Sequence, residues 1–444
     1  MARHPSGSAL DDLAGKRVLV IGLGLSGRSA AGFCAARGAH VVACDQREDV
    51  ADPALPPGVE IQRGGPIPDL AQFDLVVPSP GVPRDRYAGA TVAWGDIELA
   101  YRALPVPVVA VTDTNGKSTT VRLIETMLIA DGRRARAAGN VGEAALWLVG
   151  KPLDVAILEV SSFQLEAVDA FRPRVGVILG CTPDHLDRHG SLEAYRATKL
   201  RLFARQGPLD VAIVNADDAA LVRETADLAA ERWLVSTRGP VERGAFLDAG
   251  TLQLRVGNRP AVLPIEAMGE VRGPLAIDVL AALLAAVAVG AEPAKALGAL
   301  ATFRPLPHRM ERVAARNGVT WIDDSKATNP GAAAAALAAT GGPIVWIAGG
   351  RAKGTGFGEL AQAPLDRVRR LLTIGEASAE LARALDERVA IEPCGTMDTA
   401  VERADALAAP GDTVLLAPAC ASFDQYPGFE ARGGHFRQLV EALR

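Results

Sequence analysis

Cysteine is scarce in this sequence and forms no pattern: Cys34, Cys44, Cys181, Cys394 and Cys420 are odd in number, scattered, and include no C-x-x-C pair. That excludes a disulfide framework and a zinc knuckle, and it fits a reducing, cytoplasmic compartment. Positive charge is not in excess. Lys and Arg number 47 against 52 Asp and Glu, a formal net charge of −5, so no overall basic field invites nucleic acid or an anionic membrane, and any polyanion must be bound locally. Long hydrophobic runs are missing as well: the longest, Val279 to Ala291, is too short to span a bilayer and reads as a buried helix. Met1 to Lys16 carries Asp11 and Asp12 without an apolar stretch, and so does not read as a signal peptide.

What is present is the composition of a folded, soluble protein: 444 residues, 49% hydrophobic and 22% charged, with 45 Gly and 29 Pro. At about 100 to 200 residues per domain, that length predicts two to four domains. Arg17-Val-Leu-Val-Ile21 reads as a strand, Gly22-Leu-Gly24-Leu-Ser-Gly27 as a glycine turn and Arg28 to Arg37 as a helix. His40 to Cys44, ending in Asp45, and Phe73 to Val77 read as further parallel strands, and the βα alternation indicates a doubly wound sheet. The proline-rich joins Leu104-Pro-Val-Pro107 and Phe303-Arg-Pro-Leu-Pro307 divide the chain into blocks 1–104, 105–304 and 305–444. In the second block, strands are expected at Val108 to Val111, Val155 to Leu158, Val175 to Leu179 and Val211 to Val214, followed by an antiparallel ribbon over Leu252 to Pro264 and a helix over Asp278 to Val289. In the third, strands are expected at Val319 to Ile322, Ile344 to Ala348, Leu371 to Ile374 and Val414 to Ala417. There Asn329 and Pro330 start an alanine helix that Gly341-Gly342 closes. The fold class is thus α/β in three serial domains: Rossmann-like, then a central P-loop ATPase type, then Rossmann-like again.

Val108-Val-Ala-Val-Thr-Asp-Thr-Asn-Gly116-Lys117-Ser118-Thr119-Thr120 runs from a strand through a tight turn into a helix. Backbone N–H groups of such a loop cradle phosphates, the Lys neutralises them and the hydroxyl helps hold Mg²⁺. Gly22-x-Gly24-x-x-Gly27 with Asp45 further on is, taken alone, a dinucleotide fingerprint, but the same turn serves any nucleotide diphosphate or plain packing. Glu159 at one strand end, and Asp184-His185-Leu-Asp187 after the next, read either as a site for Mg²⁺ or Mn²⁺ or as a buried ion pair and a satisfied histidine. Lys199, on its own, reads as a solvated helix lysine.

These segments resemble the Mur ligases of bacterial peptidoglycan synthesis. The resemblance covers nearly the whole chain in order, through Ser79-Pro-Gly81, Gly95-Asp-Ile-Glu98, Gly139-Asn140-Val-Gly142, Tyr195-Arg-Ala-Thr-Lys199, Pro307-His-Arg309 and Gly349-Gly-Arg-Ala-Lys353. Asp324-Ser-Lys-Ala-Thr-Asn329 and Ala419-Cys-Ala-Ser-Phe-Asp-Gln-Tyr426 match the glutamate-adding members. The resemblance implies a cytoplasmic, monomeric enzyme of cell-wall precursor synthesis that adds D-glutamate to UDP-N-acetylmuramoyl-L-alanine through an acyl phosphate made with ATP.

The catalytic residues it implies are Lys117, Glu159, His185 and Lys199, the last carboxylated by CO₂, and the ATP residues are Thr114, Asn115, Gly116, Lys117, Ser118, Thr119, Arg309 and Asp324. Mg²⁺ or Mn²⁺ would be held by Ser118, Glu159, His185 and the Lys199 carbamate. The UDP-sugar would meet Leu25, Ser26, Gln46, Arg47, Ser79, Gly81, Asn140, Ser161 and Gln164, and glutamate would meet Lys326, Thr328, Lys353, Ser422 and Phe429.

The chain departs from the family pattern around ATP. Asp113 stands where the phosphate loop has its first glycine, Gly180 replaces an asparagine, and the G-x-H-N-x-x-N stretch reads Gly273-Pro-Leu275-Ala276-Ile-Asp278-Val279. Two alternatives to the ligase follow: a nucleotide-sugar binding protein with an impaired ATP site and, more remotely, a nicotinamide dehydrogenase. L- and D-glutamate offer identical charges, so residue types alone do not choose the enantiomer.

Overall fold

The computed structural model describes residues 13–50, 55–257, 261–264, 275–304, 306–354, 356–385 and 387–443. The readings placed on residues 1–12, on Gly273 and Pro274, and on the join at Pro305 lie outside them. The chain falls into two compact units, one drawn from Met1–Cys181, Glu193–Glu270 and Leu275–Phe303 and the other from Thr182–Leu192, Val271–Pro274 and Arg304–Arg444.

The larger unit holds two sheets. The first contains β1 (Arg17–Ile21), β2 (His40–Asp45), β3 (Glu60–Arg63) and β4 (Leu75–Pro78) in the order 3-2-1-4, all parallel. Its central strand is a run of apolar residues because both faces are covered, the pattern of a parallel sheet between helices. The helix after β1 spans Leu25–Ala35, earlier than the glycine spacing suggests, because the turn closes at Gly24 and Gly27 already lies in the first helical turn. Only glycine fits at 27: a Cβ there would stand 1.8 Å from the Gly22 carbonyl oxygen. β3 was not expected, and it is exposed along its whole length, so no apolar alternation marks it.

The second sheet has nine strands: β5 (Val108–Thr112), β6 (Ala135–Gly139), β7 (Val155–Glu159), β8 (Val175–Ile178), β9 (Val211–Asn215), β10 (Glu231–Ser236), β11 (Gly244–Asp248), β12 (Thr251–Arg255) and β13 (Ala261–Pro264). Their order is 13-12-11-10-9-8-5-7-6, parallel except for the antiparallel ribbon of β11, β12 and β13. The apolar helix spans Ala276–Ala288 and packs on helix Lys117–Ala130, where Thr120 Oγ1 donates to Asp278 Oδ1 at 2.8 Å.

The smaller unit carries β14 (Glu311–Arg316), β15 (Val319–Asp323), β16 (Ile344–Gly349), β17 (Val368–Ile374), β18 (Ile391–Gly395) and β19 (Thr413–Leu416). Their order is 14-15-19-16-17-18, with only β14 antiparallel. Trp346 packs in one core cluster of this unit, and Trp321 and Phe436 in another. Helix Pro330–Ala339 begins at Asn329, whose side chain accepts the Ala332 N–H, and ends at Thr340, one residue before the glycines. No helix among the described residues is long and apolar enough to cross a membrane.

Candidate active site

In an open α/β sheet, ligands gather beyond the strand C-termini where the strand order reverses. In the first sheet that point lies between β1 and β4, and a cleft of about 580 Å³ opens there. Leu25, Ser26, Gln46, Arg47, Ser79, Gly81 and Asn140 all line it. Ser79 Oγ donates to the Gly22 carbonyl at 3.0 Å, locking the two loops together. Asp45 accepts from the Leu23 N–H at 2.9 Å and from the Arg47 N–H at 3.0 Å. Burial works against its charge, but these hydrogen bonds outweigh it and hold the carboxylate below its usual range. Ser161 and Gln164 are not among the cleft's lining residues, and Gln164 is 1% exposed.

In the second sheet the order reverses at β5, between β7 and β8, and the phosphate loop follows β5 directly. Gly116 caps helix Lys117–Ala130 at φ 102°, and a Cβ there would lie 2.4 Å from Asp278 Oδ1, so both conformation and space demand glycine. Lys117 Nζ donates back to the carbonyls of Asp113 at 2.7 Å and Thr114 at 3.1 Å. The Thr119 hydroxyl is buried and finds no partner among the described residues, as fits an atom reserved for a ligand oxygen. Lys199 is not a solvated lysine. It is 1% exposed, and Nζ donates to the Asp113 carbonyl at 2.7 Å and to Thr112 Oγ1 at 3.3 Å. Across the sheet, Asn140 Nδ2 donates to Glu159 Oε1 at 3.0 Å, so a cleft residue touches the carboxylate at the end of β7.

The three departures have physical counterparts. Asp113 is buried, its Oδ1 accepts the Thr114 N–H at 2.7 Å, and Gly180 lies beside it, where a Cβ would come 3.3 Å from that same oxygen. A side chain at 180 would thus begin in tight contact with the Asp113 carboxylate, and glycine there relieves that contact. Burial pushes the Asp113 carboxyl up, against the pull of Lys117 and Lys199. Leu275, Ala276 and Val279 are buried, so those positions carry packing rather than polar contacts. We expect Asp113→Gly to lower the KM for ATP by about threefold or more, by removing an anion beside the phosphates. Initial-rate measurements at varied ATP check this, and an unchanged KM would show that the carboxylate is accommodated at no cost to the nucleotide.

In the smaller unit, Lys353 Nζ lies 3.3 Å from Asp184 Oδ1, and the Asp184 carboxylate also accepts the His185 N–H at 3.0 Å. His185 itself is left-handed at φ 54°. Lys326 Nζ lies 5.4 Å from the Phe429 ring centre, and the Phe429 carbonyl accepts Ser325 Oγ at 2.8 Å. The Thr328 N–H donates to the Lys326 carbonyl, and Ser422 is buried. Of the expected metal ligands, Ser118, Glu159 and Lys199 belong to the larger unit and His185 to the smaller. Among the described residues, one trio of metal-type side chains is drawn together, His308, Glu311 and Asp323. Hydrogen bonding accounts for it: His308 Nδ1 lies 2.6 Å from Asp323 Oδ2, and Glu311 accepts the His308 N–H and pairs with Arg437.

Sequence reading missed Arg432. It is 1% exposed and donates to Ser325 Oγ at 3.0 Å, to the Ser325 carbonyl at 2.9 Å and to the Cys420 carbonyl at 3.1 Å. The arginine thereby ties together the two loops that carry Lys326 and Ser422, and no local pattern around it announces this. Burial pulls its pKa down to about 10.

Burial also pushes the Asp324 carboxyl up to about 6, against the pull of Arg309. The folded protein then holds this proton more tightly than the unfolded chain, so the stabilisation is complete below the unfolded pKa and is lost as pH rises through the folded one. Relative to wild type, Asp324→Asn should therefore gain stability as pH rises from about 4 to about 7. Urea unfolding across that range checks the prediction, and a constant difference would show that Asp324 titrates like an ordinary aspartate.

The comparisons with known proteins agree along the whole chain. Residues 16–99 match the Mur ligase MurD-like N-terminal domain, residues 111–250 the Mur ligase middle domain, and residues 308–420 the Mur ligase glutamate ligase domain. A UDP-N-acetylmuramoylalanine--D-glutamate ligase of Pelotomaculum thermopropionicum is 40% identical over 453 residues, spanning 98% of this chain and 99% of the relative. The chain belongs to the Mur ligase family. A relative of the same name from Acidobacterium capsulatum is 41% identical, covering 98% of each protein. Among solved structures, a pseudomurein peptide ligase type C from Methanothermus fervidus superposes with a TM-score of 0.63 at 19% identity, covering 97% of this chain and 100% of that one. MurF ligase from Thermotoga maritima, in complex with ADP, superposes with a TM-score of 0.61 at 15% identity, covering 98% of this chain and 97% of that one. Those two likenesses establish the Mur ligase fold.

Proposed function

We propose that this Mur ligase joins D-glutamate to UDP-N-acetylmuramoyl-L-alanine at the expense of ATP, in the cytoplasmic synthesis of peptidoglycan precursors. The observation that carries this reading is the 40% identity, across nearly the whole chain, to ligases bearing that activity in their name. Three functional regions follow: 1–104 for the uridine nucleotide, 105–304 for ATP and 305–444 for glutamate. The protein acts as a monomer, without nucleic acid or membrane.

In the first step an alanyl carboxylate oxygen attacks the γ-phosphorus of ATP, ADP departs, and an acyl phosphate forms. Positioning and charge neutralisation carry such a step. Lys117 exchanges its loop carbonyls for phosphate oxygens, and the Thr119 hydroxyl and the N-terminus of helix Lys117–Ala130 donate to others. In the second step the glutamate amine attacks the acyl carbon, the tetrahedral intermediate expels phosphate, and the nitrogen gives up a proton. Lys326 and Lys353 meet the two carboxylates of glutamate, with Thr328, Ser422 and Phe429 completing its pocket, while Arg309 and Asp324 meet ATP. The oxygen-rich set of Ser118, Glu159 and a carboxylated Lys199, with His185, suits Mg²⁺ or Mn²⁺, which when bound would neutralise phosphate charge.

Phosphate release with Mg²⁺-ATP, UDP-N-acetylmuramoyl-L-alanine and either D- or L-glutamate, with mass detection of the product, tests the reading. Release requiring all three substrates, with D-glutamate alone accepted, is expected. Binding of the nucleotide sugar with no phosphate release would make this a binding protein on a ligase fold, its ATP loop disabled by Asp113.

A further inference from the structure

Asp96 is a carboxylate 2% exposed at the first turn of helix Asp96–Ala103. Its Oδ2 accepts from Ser26 Oγ at 2.8 Å and from Gln164 Nε2 at 3.0 Å. Gln164 commits the other end of its amide to Ser161, Oε1 accepting from the Ser161 N–H at 3.0 Å and from Ser161 Oγ at 3.1 Å. The Gln164 N–H returns a bond to Ser161 Oγ at 3.3 Å, closing a capping box. Ser26 lines the nucleotide cleft, and Ser161 follows Glu159 by two residues at the end of β7. One chain, Ser26 to Asp96 to Gln164 to Ser161, half-buried at its two serines and buried between them, therefore runs from the cleft to the strand end that carries the expected metal ligand.

The direction of every bond in this chain is fixed. Ser26 donates to Oδ2, and Gln164 Nε2 lies 3.0 Å from Oδ2 and 3.3 Å from Oδ1, so residue 96 meets a donor at both of its oxygens, which a carboxylate accepts and an amide, with NH₂ in place of one oxygen, does not. Burial pushes the Asp96 carboxyl up, and the hydrogen bonds from Ser26 and Gln164 pull it back toward the charged form without cancelling the effect. Gln164, with its oxygen and one N–H committed and its surface enclosed, is a strut rather than a ligand. With its hydroxyl hydrogen given to Asp96, Ser26 faces the cleft as a backbone N–H donor in the first turn of helix Leu25–Ala35, where such donors have no helical partner.

We propose that Asp96 is a positioning residue for the nucleotide-sugar substrate: it holds the diphosphate-facing turn at Ser26 and the Ser161–Gln164 cap in a single register, so that a substrate bound at one end presents its reactive end at the other. This rests on the reading that a UDP-sugar occupies the cleft. In Asp96→Asn, the new NH₂ faces the Gln164 NH₂ whichever way the amide turns, because Gln164 Nε2 lies close to both Oδ2 and Oδ1. If Gln164 flips to receive it, its own NH₂ then faces the Ser161 N–H. Combining Asp96→Asn with Gln164→Glu moves the carboxylate to the other side of the pair and restores an acceptor for every donor.

The test measures UDP binding by calorimetry, together with steady-state kinetics and thermal melts, for wild type, Asp96→Asn, Gln164→Glu and the double variant. Asp96→Asn should raise the KM for the nucleotide sugar about tenfold or more while the KM for ATP stays within about twofold, and the double variant should recover to within about threefold of wild type. Nucleotide-sugar kinetics unchanged in Asp96→Asn, or a folded double variant no better than the single ones, would overturn the proposal. If Asp96→Asn does not fold, Gln164→Glu, which sets two carboxylates face to face, provides the same comparison with the double variant. Wild-type protein that binds no UDP would remove the functional reading itself, a result distinct from any change produced at Asp96.

Discussion

Replacing Lys117 with alanine is expected to lower kcat by about 10³-fold or more, equivalent to about 4 kcal/mol of transition-state stabilisation, while the KM for the nucleotide sugar stays within about twofold. The size follows from the chemistry. In the proposed reaction charge moves onto the phosphate oxygens as the acyl phosphate forms, and Lys117, the first residue of its helix, is the side chain proposed to meet them. The present contacts of Lys117 are with two loop carbonyls, 2.7 Å and 3.1 Å away, and not with a core. The variant should therefore keep its thermal midpoint within about 3 °C of wild type, since surface changes away from core packing move stability little. Single-turnover phosphate release alongside melting curves separates the two effects. A loss of activity smaller than tenfold would remove Lys117 from the phosphoryl-transfer role.

Glu98→Ala is expected to destabilise the protein by about 3 to 5 kcal/mol, the range for breaking a buried charged network by removing one partner. Glu98 is fully buried, and its two oxygens take four donors: the backbone N–H groups of Asp169 at 2.9 Å, Ala170 at 3.0 Å and Phe171 at 3.0 Å, and Arg102 Nε at 2.6 Å. Alanine would leave three N–H groups at residues 169–171 without this acceptor, and each such group costs about 1 to 3 kcal/mol when it stays dry. Water entering the cavity would recover part of that, which is why the estimate lies below the sum. Urea unfolding at neutral pH measures the loss. A change below 1 kcal/mol would mean that the 169–171 turn finds other partners when the carboxylate is gone.

Glu98 and Asp96 share one motif, Gly95-Asp-Ile-Glu98, that sequence reading could recognise and not explain. Both acids face inward from one helix, and apart from the Arg102 bond to Glu98 the donors named for them come from residues some 70 positions away along the chain. Charged residues in a short helix ordinarily mark its solvent side, so nothing local distinguishes these two from surface groups. Arg432 was hidden for the same reason. Six strands escaped notice, β3, β6, β10, β11, β14 and β18; two of them, β3 and β6, are Glu-Ile-Gln-Arg and Ala-Arg-Ala-Ala-Gly, sequences without the β-branched runs that mark a buried strand. β3 and β6 sit at sheet edges, where pairing with one neighbour suffices.

The sequence by itself determined the local pieces whose geometry is chemically forced. Gly27 and Gly116 stand where no Cβ fits, Asn329 and Pro330 open a helix in the way their side chains require, and apolar runs make the central strands. It also determined the family, because that resemblance is carried by ordered motifs along the whole chain. Only the tertiary structure decided which polar side chains are buried and what they satisfy. Lys199 proved to be an enclosed side chain bonded to the phosphate loop, Asp113 proved to be a buried carboxyl with Gly180 beside it, and Gln164 proved to be buried and bonded to Asp96. The physical reason is common to all of these. Backbone conformation is set within a few residues, whereas the free energy of a buried charge depends on donors and acceptors that the fold brings from far along the chain.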